Sequence, residues 1–182
     1  MAKVVCYILV ALWLAARGQS KYTAYFKNKA LKFDKFLEPC KDYNRQHNAI
    51  DLRNVTITGN STTFDYDAVM HRQINDVTLQ LHFWRCSSRE ALDTCMPLTS
   101  FKCRNICEFL DSTKEFWSPA ILCAKPNIAC PLQKAVYRGR ECSLNLNAFH
   151  FFPLGTAYWK VRFTLLNNKR EILCAMIEGG IR

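Results

Sequence analysis

Ten cysteines within 182 residues constrain the fold of this chain more than any other feature. Apart from Cys6, seven of them lie between Cys86 and Cys142, and Cys40 and Cys174 lie far out on either side. A chain with this much cysteine is either cross-linked by disulfides in an oxidising compartment or built around a metal ion. The N-terminal segment decides between these two classes.

Residues 1–18 have the pattern of a cleaved secretory signal peptide. One early positive charge precedes an apolar run over residues 4–16, and Ala16-Arg17-Gly18 supplies small residues at the exit. This run is shorter than the ~18 apolar residues that a membrane span requires, and we favour a signal over a short anchor. We therefore predict a secreted, extracellular protein with one domain at residues 19–182, in which Cys6 is not available for a disulfide.

The predicted mature chain is basic. Without Lys3 and Arg17 it has 23 basic and 15 acidic residues, a net charge of +8. Such a charge favours anionic surfaces, which after secretion means transient contact with a membrane surface and no nucleic acid partner. Between Lys21 and Phe36, lysines alternate with aromatic residues, a pattern that single-strand binders also show. A first strand whose lysines protect an exposed sheet edge is the interpretation we favour.

Two sequons agree with export. Asn54-Val55-Thr56 and Asn60-Ser61-Thr62 both fit the acceptor pattern for N-glycosylation. They lie close together in a polar stretch, so we expect residues 54–62 to face water. Asn54 and Asn60 are the predicted glycosylation sites.

Most of the remaining pattern predicts β-strands. Residues 52–58 and 62–70 have strand composition and meet around Gly59-Asn60, while apolar and polar residues alternate over residues 75–85. Near the C-terminus, residues 158–166 and 171–178 flank a short turn, which predicts a hairpin. A short helix or helical turns are expected at residues 104–117, ended by Pro119. We predict a single-domain all-β fold, a sandwich or cup closed around one core.

The central cysteine region resembles the ganglioside GM2 activator proteins. The residues that carry the resemblance are Ile106-Cys107-Glu108-Phe109-Leu110-Asp111, Ala129-Cys130-Pro131-Leu132-Gln133-Lys134 and Lys169-Arg170-Glu171-Ile172-Leu173-Cys174, and Asn54-Val55-Thr56 fits as well. The likeness covers about residues 38–182. The chain is also similar to a branch of this superfamily with longer N-termini, the insect gustatory chemosensory B proteins.

The resemblance implies a β-cup that holds a lipid in an apolar cavity, and it implies disulfide pairs. By position, Cys40 would pair with Cys174, Cys95 with Cys103, and Cys107 with Cys130. Ile128 occupies the place of a cysteine in the fourth bridge of the family, so this bridge cannot form in the same way. Three cysteines are left over, of which two can pair, most plausibly Cys123 with Cys142; which of Cys86, Cys123 and Cys142 stays unpaired is open.

No residue pattern indicates an enzyme. The four histidines, His47, His71, His82 and His150, form no His-Glu-x-x-His pair, and no Gly-x-Ser-x-Gly motif occurs. Cys103-x-x-x-Cys107 alone is a weak metal signal, because a zinc ribbon requires paired Cys-x-x-Cys motifs. We predict no catalytic residues, no metal and no cofactor.

Two apolar stretches that contain proline or glycine are candidates for the rim of the cavity, although ordinary core is the alternative for each residue. The predicted ligand-binding residues are Phe116, Trp117, Ile121, Leu122, Phe149, Phe151 and Phe152. The function expected is a secreted carrier of a lipid or other hydrophobic small molecule, which the chemosensory resemblance would place in pheromone perception. The alternatives are a lysosomal activator that presents glycolipid to a hydrolase, and a secreted cysteine-rich module that binds a protein.

Overall fold

The computed structural model describes residues 31–43, 48–58, 63–145, 148 and 155–181. These residues form eight β-strands: β1 (Leu31–Pro39), β2 (Ile50–Thr58), β3 (Thr63–Met70), β4 (Thr78–Cys86), β5 (Met96–Cys103), β6 (Val136–Ser143), β7 (Ala157–Asn167) and β8 (Arg170–Ile181). Between the strands, the described residues also form two short 3-10 helices, Leu92–Thr94 and Ile106–Phe109, and an α-helix, α1 (Ser118–Leu122). The predicted all-β, disulfide-linked domain is confirmed.

The strands form two antiparallel sheets. The larger sheet has the order β1-β8-β7-β4-β5, and the smaller has the order β2-β3-β6. Strand β1 therefore lies at an edge, as the lysine pattern predicts for Lys32 and Lys35. The other lysines of that run lie outside the described residues. Lys35 forms an ion pair with Glu178 of β8 at 2.9 Å, which fixes the edge strand to its neighbour.

The hairpin between β7 and β8 is confirmed. Asn167 pairs with Arg170, and the two residues between them, Asn168 and Lys169, both have positive φ, of 49° and 67°. Two central residues in this conformation make a type I′ turn, whose twist matches that of the flanking strands. Strands β7 and β8 are longer than predicted, and β7 is the central strand of the larger sheet.

The helical turns predicted at residues 104–117 are confirmed in part, whereas their predicted end at Pro119 is wrong. Only a single 3-10 turn, Ile106–Phe109, forms there, and the α-helix begins afterwards, at Ser118–Leu122. Pro119 lies in the first turn of this helix rather than at its end. Proline fits the first turn because its missing N–H would have no intrahelical acceptor there, and its fixed φ is already helical.

Four disulfides link described residues: Cys40–Cys174, Cys86–Cys95, Cys107–Cys130 and Cys123–Cys142. Three of these are predicted pairs, and Cys86, Cys123 and Cys142 all take part in bridges. The pairing of Cys95 with Cys103 is wrong. Since β5 is extended between them, their Cα atoms are about 26 Å apart, well beyond the ~7 Å that a disulfide allows. Cys86 lies beside Cys95 instead, with the Cα atoms 4.0 Å apart, because β4 and β5 pair there.

Candidate functional site

An apolar cavity of about 270 Å³ lies between the inner faces of the two sheets. Strand alternation builds its walls, because every second side chain of a strand points to the same face. In the larger sheet β4 contributes Leu79, Leu81 and Phe83, and β7 contributes Trp159, Val161, Phe163 and Leu165. In the smaller sheet β3 contributes Phe64, Tyr66, Ala68 and Met70. The alternation predicted over residues 75–85 therefore forms part of the cavity wall.

The segment around α1 closes one side of the cavity. Phe116, Trp117, Ala120 and Ile121 line it there. The hydroxyl of Tyr66 donates a hydrogen bond of 2.6 Å to the carbonyl oxygen of Ala120. Burial raises the pKa of Tyr66 to about 12, so the hydroxyl keeps its proton and remains a donor.

A disulfide and a glycine support the same wall. Cys123, directly after α1, is bonded to the buried Cys142 of β6. Gly139 of β6 lies opposite Tyr66 of β3, and a β-carbon at this position would overlap the Tyr66 ring and the Cys142 sulfur. Because Gly139 has no side chain, the Tyr66 ring can pack directly against the backbone of β6.

The structure places four of the seven predicted ligand-binding residues. Phe116, Trp117 and Ile121 line the cavity. Leu122 is not among the lining residues, and 51% of it is exposed, so it lies outside the cavity wall and its role in ligand binding stays a prediction. Because successive side chains on a helix differ by about 100° in direction, Leu122 turns to solvent when Ile121 turns inward. The other three, Phe149, Phe151 and Phe152, lie outside the described residues.

Of the two predicted glycosylation sites, Asn60 also lies outside the described residues. Asn54 is exposed in β2, in agreement with the expectation that this region faces water. Its side-chain amide donates a hydrogen bond of 2.7 Å to Asp67 of β3, across the outer face of the smaller sheet. Glycosylation of either residue remains a prediction.

Sequence reasoning missed the aromatic residues of β1 and β3. Phe33 and Phe36 of β1 line the cavity, with ring centroids 4.9 Å apart, and Phe36 contacts Phe64 of β3 at 4.6 Å. These contacts join the two sheets at the side where β1 and β2 meet. Phe33 and Phe36 are three residues apart, so strict period-two alternation would place them on opposite faces. A register shift between Phe33 and Lys35 brings both rings to the cavity, and the sequence pattern does not show this shift.

A second, polar cleft of about 480 Å³ lies near the Cys40–Cys174 bridge. At its centre Asp51 accepts hydrogen bonds from Asn48 at 2.7 Å and Arg53 at 3.2 Å, and its oxygen lies 2.8 Å from Nε2 of His71. Burial opposes ionisation of Asp51, but the hydrogen bonds from His71 and Asn48 hold its pKa below the ordinary value. Among the described residues, the Asp51 carboxylate is thus already engaged by side chains of the cleft itself.

No protein-family model and no curated protein matches the chain. The resemblance to the GM2 activator proteins stays a prediction that depends on the motifs quoted above.

Among the described residues, no three metal-ligating side chains form a group that could hold an ion. Within the same ranges, no helix has the length and apolar character needed to cross a bilayer.

Proposed function

We propose that this protein is a secreted carrier that binds an apolar small molecule or lipid tail in the cavity between its sheets. One observation carries the proposal: both inner faces and the α1 segment line the cavity with apolar side chains, and nine of the described lining residues are aromatic. The four disulfides are compatible with an oxidising, extracellular compartment.

The size of the cavity argues that it serves a function. Protein interiors normally pack as densely as organic crystals, with few voids larger than a water molecule. Residual cavities destabilise a fold by about 24 cal/mol per Å³, so 270 Å³ corresponds to about 6 kcal/mol. That is comparable to the whole net stability of many domains. An apolar ligand would restore the missing contacts.

The driving force available to such a ligand is large. Each methylene group that leaves water contributes about 0.8 kcal/mol, so ten methylenes supply about 8 kcal/mol without any polar contact. The mechanism of the proposed carrier is partition: the lining replaces water around a hydrocarbon chain. No bond is made or broken.

A cavity-filling variant tests the proposal. Ala68→Phe adds a ring to the inner face of β3, and since an apolar void of ~150 Å³ holds a benzene molecule, this ring would occupy roughly half of the space. Val69→Phe is the matched control, because Val69 is the next residue in the strand and does not line the cavity. The assay is the fluorescence of the neutral probe N-phenyl-1-naphthylamine on titration with each protein.

We expect the wild-type protein and Val69→Phe to bind the probe alike, and Ala68→Phe to bind it at least tenfold more weakly. Absence of binding by the wild-type protein would contradict the proposal, as would equal binding by Ala68→Phe. The role in chemosensory perception is supported only by the resemblance. Extraction of the native ligand and its identification by mass spectrometry would test that role, since glycolipid would favour the activator alternative.

A further inference from the structure

The described residues that line the cavity include no Asp, Glu, Lys, Arg or His. Three of the lining side chains carry a polar atom, those of Tyr66, Trp117 and Trp159. The Tyr66 hydroxyl is used in its 2.6 Å hydrogen bond to Ala120. The indole nitrogen of Trp159 donates to the carbonyl oxygen of Gly155 at 3.0 Å. The lining therefore offers a polar ligand group very little.

Charged residues that adjoin the lining in sequence face the opposite way. Glu178 and Asp67 each lie between two lining residues of a strand, so alternation directs their side chains to the outer face. Both are engaged there. Glu178 pairs with Lys35 at 2.9 Å, and Asp67 accepts a hydrogen bond from Asn54 at 2.7 Å. Neither side chain is directed toward a ligand head group.

On the basis of the proposed carrier function, we infer that the cavity selects an uncharged hydrocarbon chain of about ten carbon atoms and discriminates against free fatty acids. The length follows from the volume. A void of ~150 Å³ accommodates the six carbons of benzene, so by the same packing 270 Å³ accommodates about eleven. The polarity follows from the lining, in which the described residues provide neither a cation nor a set of free donors.

A carboxylate that entered this cavity would lose its water and gain no charged partner among the described lining residues. An ionised group in such surroundings binds a proton instead. With an ordinary carboxyl pKa of about 4.3, only about one fatty acid molecule in a thousand is neutral at pH 7.4. The acid should therefore bind more weakly than a neutral ester of the same chain, and the deficit should shrink as the pH falls.

The experiment compares methyl decanoate with decanoate as competitors for N-phenyl-1-naphthylamine, using the full mature chain at pH 7.4 and pH 5.0. We expect the ester to displace the probe at a concentration at least tenfold lower than the acid at pH 7.4. At pH 5.0 the difference should be clearly smaller. Within a series of methyl esters, affinity should rise about fourfold per methylene up to about ten carbons and then level off.

The outcomes distinguish failure of this inference from failure of the carrier function. If decanoate matches or exceeds the ester at pH 7.4, the inference on polarity is overturned while the carrier function stands. If affinity keeps rising beyond sixteen carbons, the inference on length is overturned. If neither probe nor ester binds, both proposals fail. Ala68→Phe is the localisation control, and unchanged ester binding by this variant would place the ligand elsewhere and overturn the inference.

Discussion

The Cys40–Cys174 and Cys86–Cys95 bridges allow a quantitative test of how the fold is held closed. The first joins residues separated by 134 positions and links the end of β1 to the middle of β8. The second spans only 9 positions between β4 and β5. In the chain-entropy model, a disulfide stabilises the fold by restricting the unfolded chain, and its contribution grows with the logarithm of the loop length. For these loops the model gives about 5 and 2.6 kcal/mol.

We therefore expect the double variant Cys40→Ala/Cys174→Ala to lose about 5 kcal/mol in the free energy of unfolding. The matched variant Cys86→Ala/Cys95→Ala should lose about 2.6 kcal/mol. Sulfur packing adds to the difference in the same direction, because Cys40 and Cys174 are both buried, at 5% and 1% exposure, whereas in the second bridge only Cys86, at 2%, is buried.

Urea unfolding at pH 7, followed by tryptophan fluorescence and by far-UV circular dichroism, measures both losses. The denaturant slope should increase more for the long-loop variant, since its unfolded chain expands more once the bridge is gone. Equal losses for the two variants, or a larger loss for the short loop, would refute the loop-entropy explanation. The bridges would then act mainly through native contacts.

Two further predictions concern the smaller sheet. Gly139→Ala should destabilise the fold by about 1–3 kcal/mol in thermal or urea unfolding, because the new β-carbon overlaps the Tyr66 ring. The control is Gly155→Ala, which has no atom within 4 Å of its β-carbon and should change stability by less than about 0.5 kcal/mol. Equal effects of the two substitutions would contradict this prediction. The hydrogen bond from Asn54 lowers the pKa of Asp67 in the folded protein. The ionised carboxylate therefore stabilises the fold above the unfolded-state pKa of about 3.9, and this stabilisation is lost as the pH falls through the lower folded-state pKa. The Asp67→Asn variant should thus be less stable than the wild-type protein at pH 7 and equally stable at acid pH, as measured by urea midpoints over a pH series. A difference that does not depend on pH would contradict a stabilising hydrogen bond to the ionised Asp67 carboxylate.

Local patterns predicted the elements whose structure is decided locally. The alternation in β4 and the turn between β7 and β8 both depend on neighbours in sequence, and both are correct. Strand β5 was missed because it lies at a sheet edge and lacks the usual pattern. Two of its apolar residues face water, with Met96 and Leu98 exposed by 68% and 45%. A strand that exposes apolar side chains cannot be recognised from period-two hydrophobicity.

The wrong pairing of Cys95 with Cys103 also arises because local sequence patterns do not determine which strands pair. Strands β4 and β5 pair with Arg85 opposite Met96. Cys86 follows Arg85 and Cys95 precedes Met96, so this pairing brings the two cysteines together. Strand pairing of this kind is a tertiary property, and cysteine spacing alone leaves several connectivities open. The outer pair, Cys40–Cys174, could be predicted only because the resemblance supplied it.

The arrangement of the core explains why an apolar ligand would matter to the fold itself. Buried side chains form a large cluster between the sheets and a small separate one made of Phe83, Trp159 and Ile181. Members of both clusters line the cavity, and Leu81 packs against each of them. A ligand in the cavity would therefore contact both clusters and join them into one continuous core. In the proposed carrier, ligand binding and completion of the core are the same event, so the stability of the protein should increase with ligand concentration as RT ln(1 + [L]/Kd).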